Sequence, residues 1–451
     1  MENGTSSMER PQRVKIYSTL MAPAPNTHGA GLVLFSQVQA FLDLGCEVEY
    51  VNLQTRDDFF SLTCDCFDRL AYSVVDARTA RPTSYTRLAC WAGWPASAAW
   101  RHIFYAREVL RREAEKRILA DPSAIHVFNF LRTANVIPSL PKARTIWVCH
   151  EIESDFHLAN SAIDQEIDNR KASRWEKRRL RRFTTLERQV ARSSSLIVCA
   201  AHTDARRIRE EWSISNVGYL PFTIAYADRP LVSPGARVPG VLRLLHIGGL
   251  EHPPTYSSLE FLLTKVFPLL DRETLSKLKL EVVGRSHADG KWTQALVEMA
   301  RPYPMVQFSG FIDDIRDAYR RSDLQVVAST KATGVRTRIV ESWAYGMPVL
   351  STTVAADGVD GLEPGRNILI ADDPREFARA LEALVRDSSR LDEIAAAARQ
   401  SYEANFGRQA VAHTLRELLN ARFGLQLAQA PKRAHESPDK LEMVPQGLKP
   451  C

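Results

Sequence analysis

The feature that most restricts how this chain can fold is an alternation that runs, stops and starts again. Short β-branched runs alternate with segments of helical period, the pattern of α/β units with parallel strands. Val14-Lys15-Ile16-Tyr17 reads as a first strand. A loop with Pro23, Pro25, Asn26, Gly29 and Gly31 follows, then a helix with Leu32, Phe35, Val38, Phe41 and Leu42 on one face and Gly45 as its cap. Val48–Leu53, Ile125–Phe130, Thr145–Cys149, Leu196–Ala200 and Val217–Leu220 read as further strands. The stretch 228–240 (DRPLVSPGARVPG) then carries three prolines and two glycines and no apolar period, which marks a linker. Beyond it the alternation restarts, with strands at Leu242–Ile247, Leu280–Val283, Val306–Phe308, Leu324–Ala328 and Val349–Ser351. Helices interleave at Tyr256–Leu270, Ile315–Ser322, Thr337–Ala344, Pro374–Val385 and Leu391–Phe406.

The expectation is an α/β chain of two Rossmann-like, doubly wound domains with a cleft between them. A flexible start (1–12) precedes the first domain (13–227), the linker (228–240) and the second domain (241–406). The amphipathic segment Ala410–Phe423 predicts a helix within 407–424 that packs back across the linker, and 425–451 reads as a disordered tail. In such sheets ligands bind in the crevice at the carboxyl ends of the strands.

Composition narrows the class. The chain has 451 residues, 45% apolar and 25% charged, with 59 Lys+Arg against 53 Asp+Glu and a formal charge of +6. That mild excess suits an anionic small ligand or a membrane surface without demanding nucleic acid. No run approaches the roughly 18 apolar residues of a membrane-spanning helix. The opening residues lack the apolar core of a secretory signal. Glu2 stands where myristoylation needs Gly, and Lys449-Pro450-Cys451 is no prenylation box. Seven scattered cysteines without a CxxC pair argue against a disulfide framework or structural zinc, so a cytoplasmic protein is expected.

The densest signal is 330–360, TKATGVRTRIVESWAYGMPVLSTTVAADGVD. A strand ends, a loop carries Gly334, and a helix opens near Arg336. The orphan N–H groups and positive dipole end of that helix would face the crevice and suit an anion such as a diphosphate. Arg336 and Arg338 add forked, permanently charged donors. Arg338 and Glu341, three residues apart, share one side of the helix, with Val340, Trp343 and Ala344 on the other. A carboxylate one turn beyond a phosphate site can accept hydrogen bonds from a ribose diol. The competing reading is an ordinary i,i+3 surface pair worth about 0.2–0.5 kcal/mol, with Gly346-Met347-Pro348 merely ending the helix.

The segment GVRTRIVESWAYGMPVLSTTVAADGV resembles the G-x-R-x-K-x-x-E-x-x-A-x-G-x-P-V-V-S-T signature of glycosyltransferases with the two-domain GT-B fold, most of all the large retaining family 4. LRLLHIGGLEHPP, LEVVGRS, VQFSGFIDDIRDAYRRSDLQVV and NILIADDPREFARALEALV agree with it in the second domain. In the first, HGAG, TIWVCHEIESDF and LRRFTTLERQVARSSSLIVCAA do so more weakly. The resemblance covers roughly 13–406. It implies transfer of a sugar from a nucleoside diphosphate donor to a polysaccharide, glycolipid or small-molecule acceptor, with retention and no protein nucleophile. It also implies that Glu341 holds the ribose, that Arg336 and Arg338 neutralise the diphosphate, and that Phe308, Phe311 and Ile312 line the base. Thr333, Gly334 and Val335 would complete the donor loop, while Gly29 and Gly31 would let the first-domain loop approach the donor phosphates. Two departures stand out. Many members carry a second glutamate where Thr333 stands, and the Arg and Lys often found after the second domain's first strand are replaced by Gly249-Leu250-Glu251-His252.

His150 and Glu151 follow the strand Thr145–Cys149 and would face the reacting sugar, whereas a lone loop histidine more often serves structure. His126 reads as structural and His202-Thr203-Asp204 as a helix start. No metal site is evident: Asp372-Asp373 precedes Pro374 and looks like a helix cap. No cofactor beyond the nucleotide sugar is implied. The run 171–188 carries eight Lys/Arg and two Glu. A solvated helix face explains it most simply, while Trp175, Leu180 and Phe183 beside those charges would also suit peripheral membrane contact. Trp91, Trp94 and Trp100 read equally as core anchors or sugar platforms. The alternative function is a non-catalytic homologue that binds nucleotide sugars. Nucleic-acid binding ranks last, because no groove-reading module is present, and a dehydrogenase lacks its G-x-G-x-x-G.

Overall fold

The computed structural model describes residues 11–18, 23, 29–54, 67, 70–77, 98–225, 238, 240–312, 314–331, 334 and 336–427, with side chains left undescribed in 98–106. Thr333, Val335, Trp91, Trp94 and most of the 228–240 stretch lie outside the described residues, as do the side chain of Trp100, residues 1–10 and residues 428–451.

Two all-parallel sheets form. The first holds β1 (Arg13–Ser18), β2 (Glu47–Gln54), β3 (Leu70–Asp76), β4 (Ile125–Asn129), β5 (Arg144–Cys149), β6 (Leu196–Cys199) and β7 (Val217–Tyr219), in the order β3-β2-β1-β4-β5-β6-β7. The second holds β8 (Leu242–Ile247), β9 (Leu278–Val283), β10 (Val306–Gly310), β11 (Leu324–Val327), β12 (Val349–Ser351) and β13 (Leu369–Ile370), in the order β10-β9-β8-β11-β12-β13. Each order reverses at one place, between β1 and β4 and between β8 and β11. Those switch points are where a crevice opens.

Alternation along the strands explains the layers. In the first sheet Val14, Ile16, Val48, Tyr50, Ile125, Val127, Ile146 and Val148 pack on one face with Leu34, Val38 and Phe41 of α1 (Gly29–Asp43). Tyr17, Val51, Phe128, Trp147 and Ile197 pack on the other with Leu110 of α2 (Ala98–Ala120). The second sheet repeats the scheme. Leu242, Leu244, Leu280 and Val326 face one core; Leu245, Val283, Val327 and Val349 face the opposite one. β3, β13 and α2 add to the elements expected from periodicity. The helix expected at Tyr256–Leu270 starts at Pro253 and ends its α-helical course at Phe261, followed by a π turn (Leu262–Val266) and a 3₁₀ turn (Phe267–Leu269) with Pro268 inside.

Elements of each half pack into the core of the other. The final helix, Arg408–Phe423, buries Val411, Ala412, Leu415 and Leu419 in the core of the first sheet, and Arg408 pairs with Asp43 at 2.5 Å. From the first half, the helix Glu153–Ile167 buries Ile163 in the core of the second sheet beside Tyr256 and Trp292. Trp292 Nε1 donates to Asp164 at 2.9 Å, and Lys291 pairs with both Asp164 and Asp168.

Glycines set the strand ends of the second sheet. A Cβ on Gly284, at φ +155°, would overlap the backbone carbonyl of Gly248, which no rotamer change relieves. Gly284→Ala is therefore expected to lower unfolding free energy by about 2–4 kcal/mol, read from urea denaturation midpoints at unchanged slope.

Candidate active site

Behind β11, the loop residue Gly334 adopts φ +63° and Arg336 precedes the helix Thr337–Ala344 without supplying a side-chain cap. The Arg336 side chain thus accepts from none of the first-turn N–H groups of this helix. Ile339, Val340, Trp343 and Ala344 are buried, which turns Arg338 and Glu341 to the opposite, crevice side. Arg336 Nη1 donates to the carbonyl of Gly334.

Arg338 reaches back over the end of β8. Its Nη2 donates to Thr255 Oγ1, and a Cβ on Gly248 would overlap its guanidinium. Glycine at φ +145° makes room for this cation. Burial pushes the Arg338 pKa down to about 10, so the charge persists at neutral pH. Burial also pushes the Glu341 carboxyl up to about 7, against the hydrogen bond from the Tyr319 hydroxyl at 3.3 Å and the nearby Arg338. Arg338 and Glu341 are therefore both largely withdrawn from solvent, unlike an exposed surface pair.

The two halves touch here. A Cβ on Gly29, at the start of α1, would lie 3.0 Å from Thr337 Oγ1, so two helix N-termini face each other across the crevice. Gly31 is buried two residues further along. A Cβ on Gly334 would stand 2.7 Å from Glu151 Cβ and 3.2 Å from the His150 carbonyl. The structure thus brings Gly29, His150, Glu151, Gly334, Arg336, Arg338 and Glu341 together. Asp204 and Glu151 from the first half and Asp357 from the second act on the charge of Arg336. Asp204 is buried and pushed up to about 7 by loss of solvent.

His150 is buried. Its Nε2 lies 2.9 Å from Asn129 Oδ1, and its ring stacks on Phe130 at 3.9 Å. His126, in contrast, is a core residue 3.0 Å from the Tyr17 hydroxyl, held near 4 by burial. His202 pairs with Asp360 across the halves at 2.6 Å and starts the helix His202–Glu210.

The departures after β8 have physical roles. Glu251 Oε1 accepts from the Thr293 hydroxyl at 2.9 Å and from its N–H at 3.3 Å, so this carboxylate caps the helix Lys291–Ala300. Pro253 and Pro254 open the helix Pro253–Phe261 and remove two N–H donors from its first turn. That turn is a poor anion site, and the cation beside it comes from Arg338. Of the residues expected at the base, Phe308 packs on the sheet core, Ile312 packs against the opposite core, and Phe311 is 42% exposed with the Arg285 guanidinium 5.0 Å from its ring centre. Asp373 accepts from the N–H groups of Arg375 and Glu376, a cap as expected. Thr255, Gly248, Asp204, Asn129 and Phe130 escaped sequence reasoning; the Gly248-Gly249 pair after a strand was the signal for the first two.

Two parallel sheets with paired switch points and a site between them define the GT-B class, and solved structures agree. Sucrose-phosphate synthase from Thermosynechococcus elongatus superposes with a TM-score of 0.66 at 15% identity, covering 92% of this chain and 99% of that one. HepE from Anabaena, solved with UDP and glucose, superposes with 0.59 at 15% identity, covering 91% and 100%. Residues 242–387, about a third of the chain, match the family described as Glycosyl transferases group 1. Over 117 residues the chain is 33% identical to the lipopolysaccharide core biosynthesis glycosyltransferase LpsE of Rhizobium meliloti (strain 1021). That match spans 25% of this chain and about a third of the relative, 34%.

The Glu341 carboxyl yields a pH prediction. Its folded-state pKa, about 7, exceeds its ordinary 4.5, so the folded state holds the proton more tightly and stability falls as pH rises through that window. Glu341→Gln keeps an acceptor for Tyr319 and carries no charge. It is expected to exceed the parent by roughly 1–3 kcal/mol at pH 8 and to match it near pH 5, read from thermal melts across pH.

Proposed function

We propose that the chain transfers a sugar from a nucleoside diphosphate sugar to a polysaccharide, glycolipid or small-molecule acceptor, with retention at the anomeric carbon and without a metal. The observation that carries this reading is the convergence of Arg336, Arg338 and two helix starts at one point between the halves. The bond from the anomeric carbon to the phosphate oxygen breaks, and its electron pair leaves on the diphosphate. The guanidinium groups and helix-end N–H groups stabilise that growing charge. The acceptor oxygen bonds the anomeric carbon on the face being vacated, and its proton passes to the departing phosphate oxygen.

In this reading Glu341 accepts from the ribose hydroxyls, Phe311 with Phe308 and Ile312 bounds the base, and Thr333, Gly334 and Val335 complete the donor loop. Gly29 and Gly31 admit the diphosphate, while His150 and Glu151 face the reacting sugar. Residues 13–227 form the acceptor half, 241–406 the donor half, and 407–424 returns to the first. A thermal-shift panel of nucleoside diphosphate sugars should single out one donor, since a ligand that binds only the folded state raises its stability. With that donor, Arg336→Ala and Glu341→Ala should each lower kcat/KM by about 100-fold or more while leaving a cooperative melt. Near-parental transfer by both variants would refute the site. Donor binding without turnover over a broad acceptor panel would leave a non-catalytic nucleotide-sugar-binding homologue instead.

We also infer peripheral contact with an anionic cytoplasmic membrane face, which would suit a lipid-linked acceptor. No helix among the described residues is long and apolar enough to cross a membrane. The helix Arg174–Ser193 exposes Arg174, Lys177, Arg178 and Arg181 along one side, with Lys171 just before it, and Trp175 is 41% exposed. Co-sedimentation with phosphatidylglycerol vesicles is expected at low salt and should be lost in the combined variant Lys177→Glu, Arg178→Glu, Arg181→Glu. Equal sedimentation of parent and variant would favour a merely solvated face.

A further inference from the structure

β4 and β5 are neighbours at the centre of the first sheet, and their carboxyl ends present Asn129-Phe130 and His150 side by side. Phe130 has φ +64°, a left-handed conformation uncommon outside glycine and unfavourable for a bulky side chain. Such strain persists only where the surroundings over-determine it. Here it turns the Phe130 ring flat against the His150 imidazole, 3.9 Å between centroids and 15° between planes. On the ring edge, His150 Nε2 meets Asn129 Oδ1 at 2.9 Å. Asn129 is fully buried. An amide oxygen only accepts, so this contact requires a proton on Nε2.

Building on the donor-transfer reading, we propose that Asn129 and Phe130 are positioning residues that lock His150, whose carbonyl lies beside Gly334, as the Nε2-protonated tautomer with its ring in one plane. Phe130 fixes the plane by stacking, and Asn129 fixes the rotation and the proton. The adjacent backbone braces the pair: the Leu131 N–H donates to Glu153 Oε1 at 3.2 Å, and Glu153 opens the helix that enters the second domain. Glycine at 130 would hold the same backbone without strain. The phenylalanine there accordingly serves its ring.

The test is long-range ¹H–¹⁵N correlation on ¹⁵N-histidine-labelled full-length protein, with His150→Gln assigning the signal, alongside titration with UDP. The expected result is an Nε2–H tautomer for His150 in the parent. Asn129→Leu should convert it to a tautomer-exchanging average, and Asn129→Asp, which keeps an acceptor at the same place, should restore it. Phe130→Gly should melt above Phe130→Ala, because the left-handed strain is relieved, yet both should broaden or shift the His150 resonance. UDP affinity should stay within about threefold of the parent in all four variants at 129 and 130, since neither side chain belongs to the nucleotide side of the site. An Nδ1–H tautomer in the parent would overturn the proposal even if a variant failed to fold. So would an unchanged His150 signal in both Asn129→Leu and Phe130→Gly. Failure of the parent to bind any nucleotide would strike the donor-transfer reading instead, leaving the histidine signal to decide this one.

Discussion

The guanidinium of Arg338, seated over Gly248 and bonded to Thr255, is the contact that ties together the switch point of the second sheet. It joins the helix behind β11 to the turn behind β8, the two elements flanking the switch point. A side chain at 248 would evict it, and a lysine at 338 would lack the planar fork that spans both neighbours. The turn beneath has surrendered its own anion-binding capacity through Pro253 and Pro254, and Glu251 points away to cap another helix. One arginine thus seats its charge beside that strand end.

The fold was largely legible because a period of two or of 3.6 survives wherever a single face is buried. The expected bounds of β8 and β12 and of the helix Thr337–Ala344 match the observed ones, and most other boundaries differ by one or two residues. β3 carries a flat burial pattern, with no residue fully buried, so periodicity had little to act on there. The end of β4 was overrun by one residue. Phe130 looks like strand by composition, yet with a left-handed backbone it opens the short helix Phe130–Ala134.

The site was legible in part. Arg336, Arg338 and Glu341 lie within six positions, and helical spacing alone could orient them. Thr255, Asp204 and Asn129 act through contacts between elements far apart in sequence, and for Gly248 the local Gly-Gly pair marks a tight strand end without naming the cation seated over it. Long-range packing assigned their partners. Acidic groups from both halves act on Arg336, and the first half's His150 and Glu151 abut Gly334 of the second.

The return of the last helix to the first sheet has a mechanical consequence. The chain passes between the halves twice, once between β7 and β8 and again between the helices Arg390–Asn405 and Arg408–Phe423. A single tether would allow the halves to tumble about each other. Two tethers leave chiefly a rocking motion about the line that joins them, so each opening returns both rims of the crevice to the same alignment.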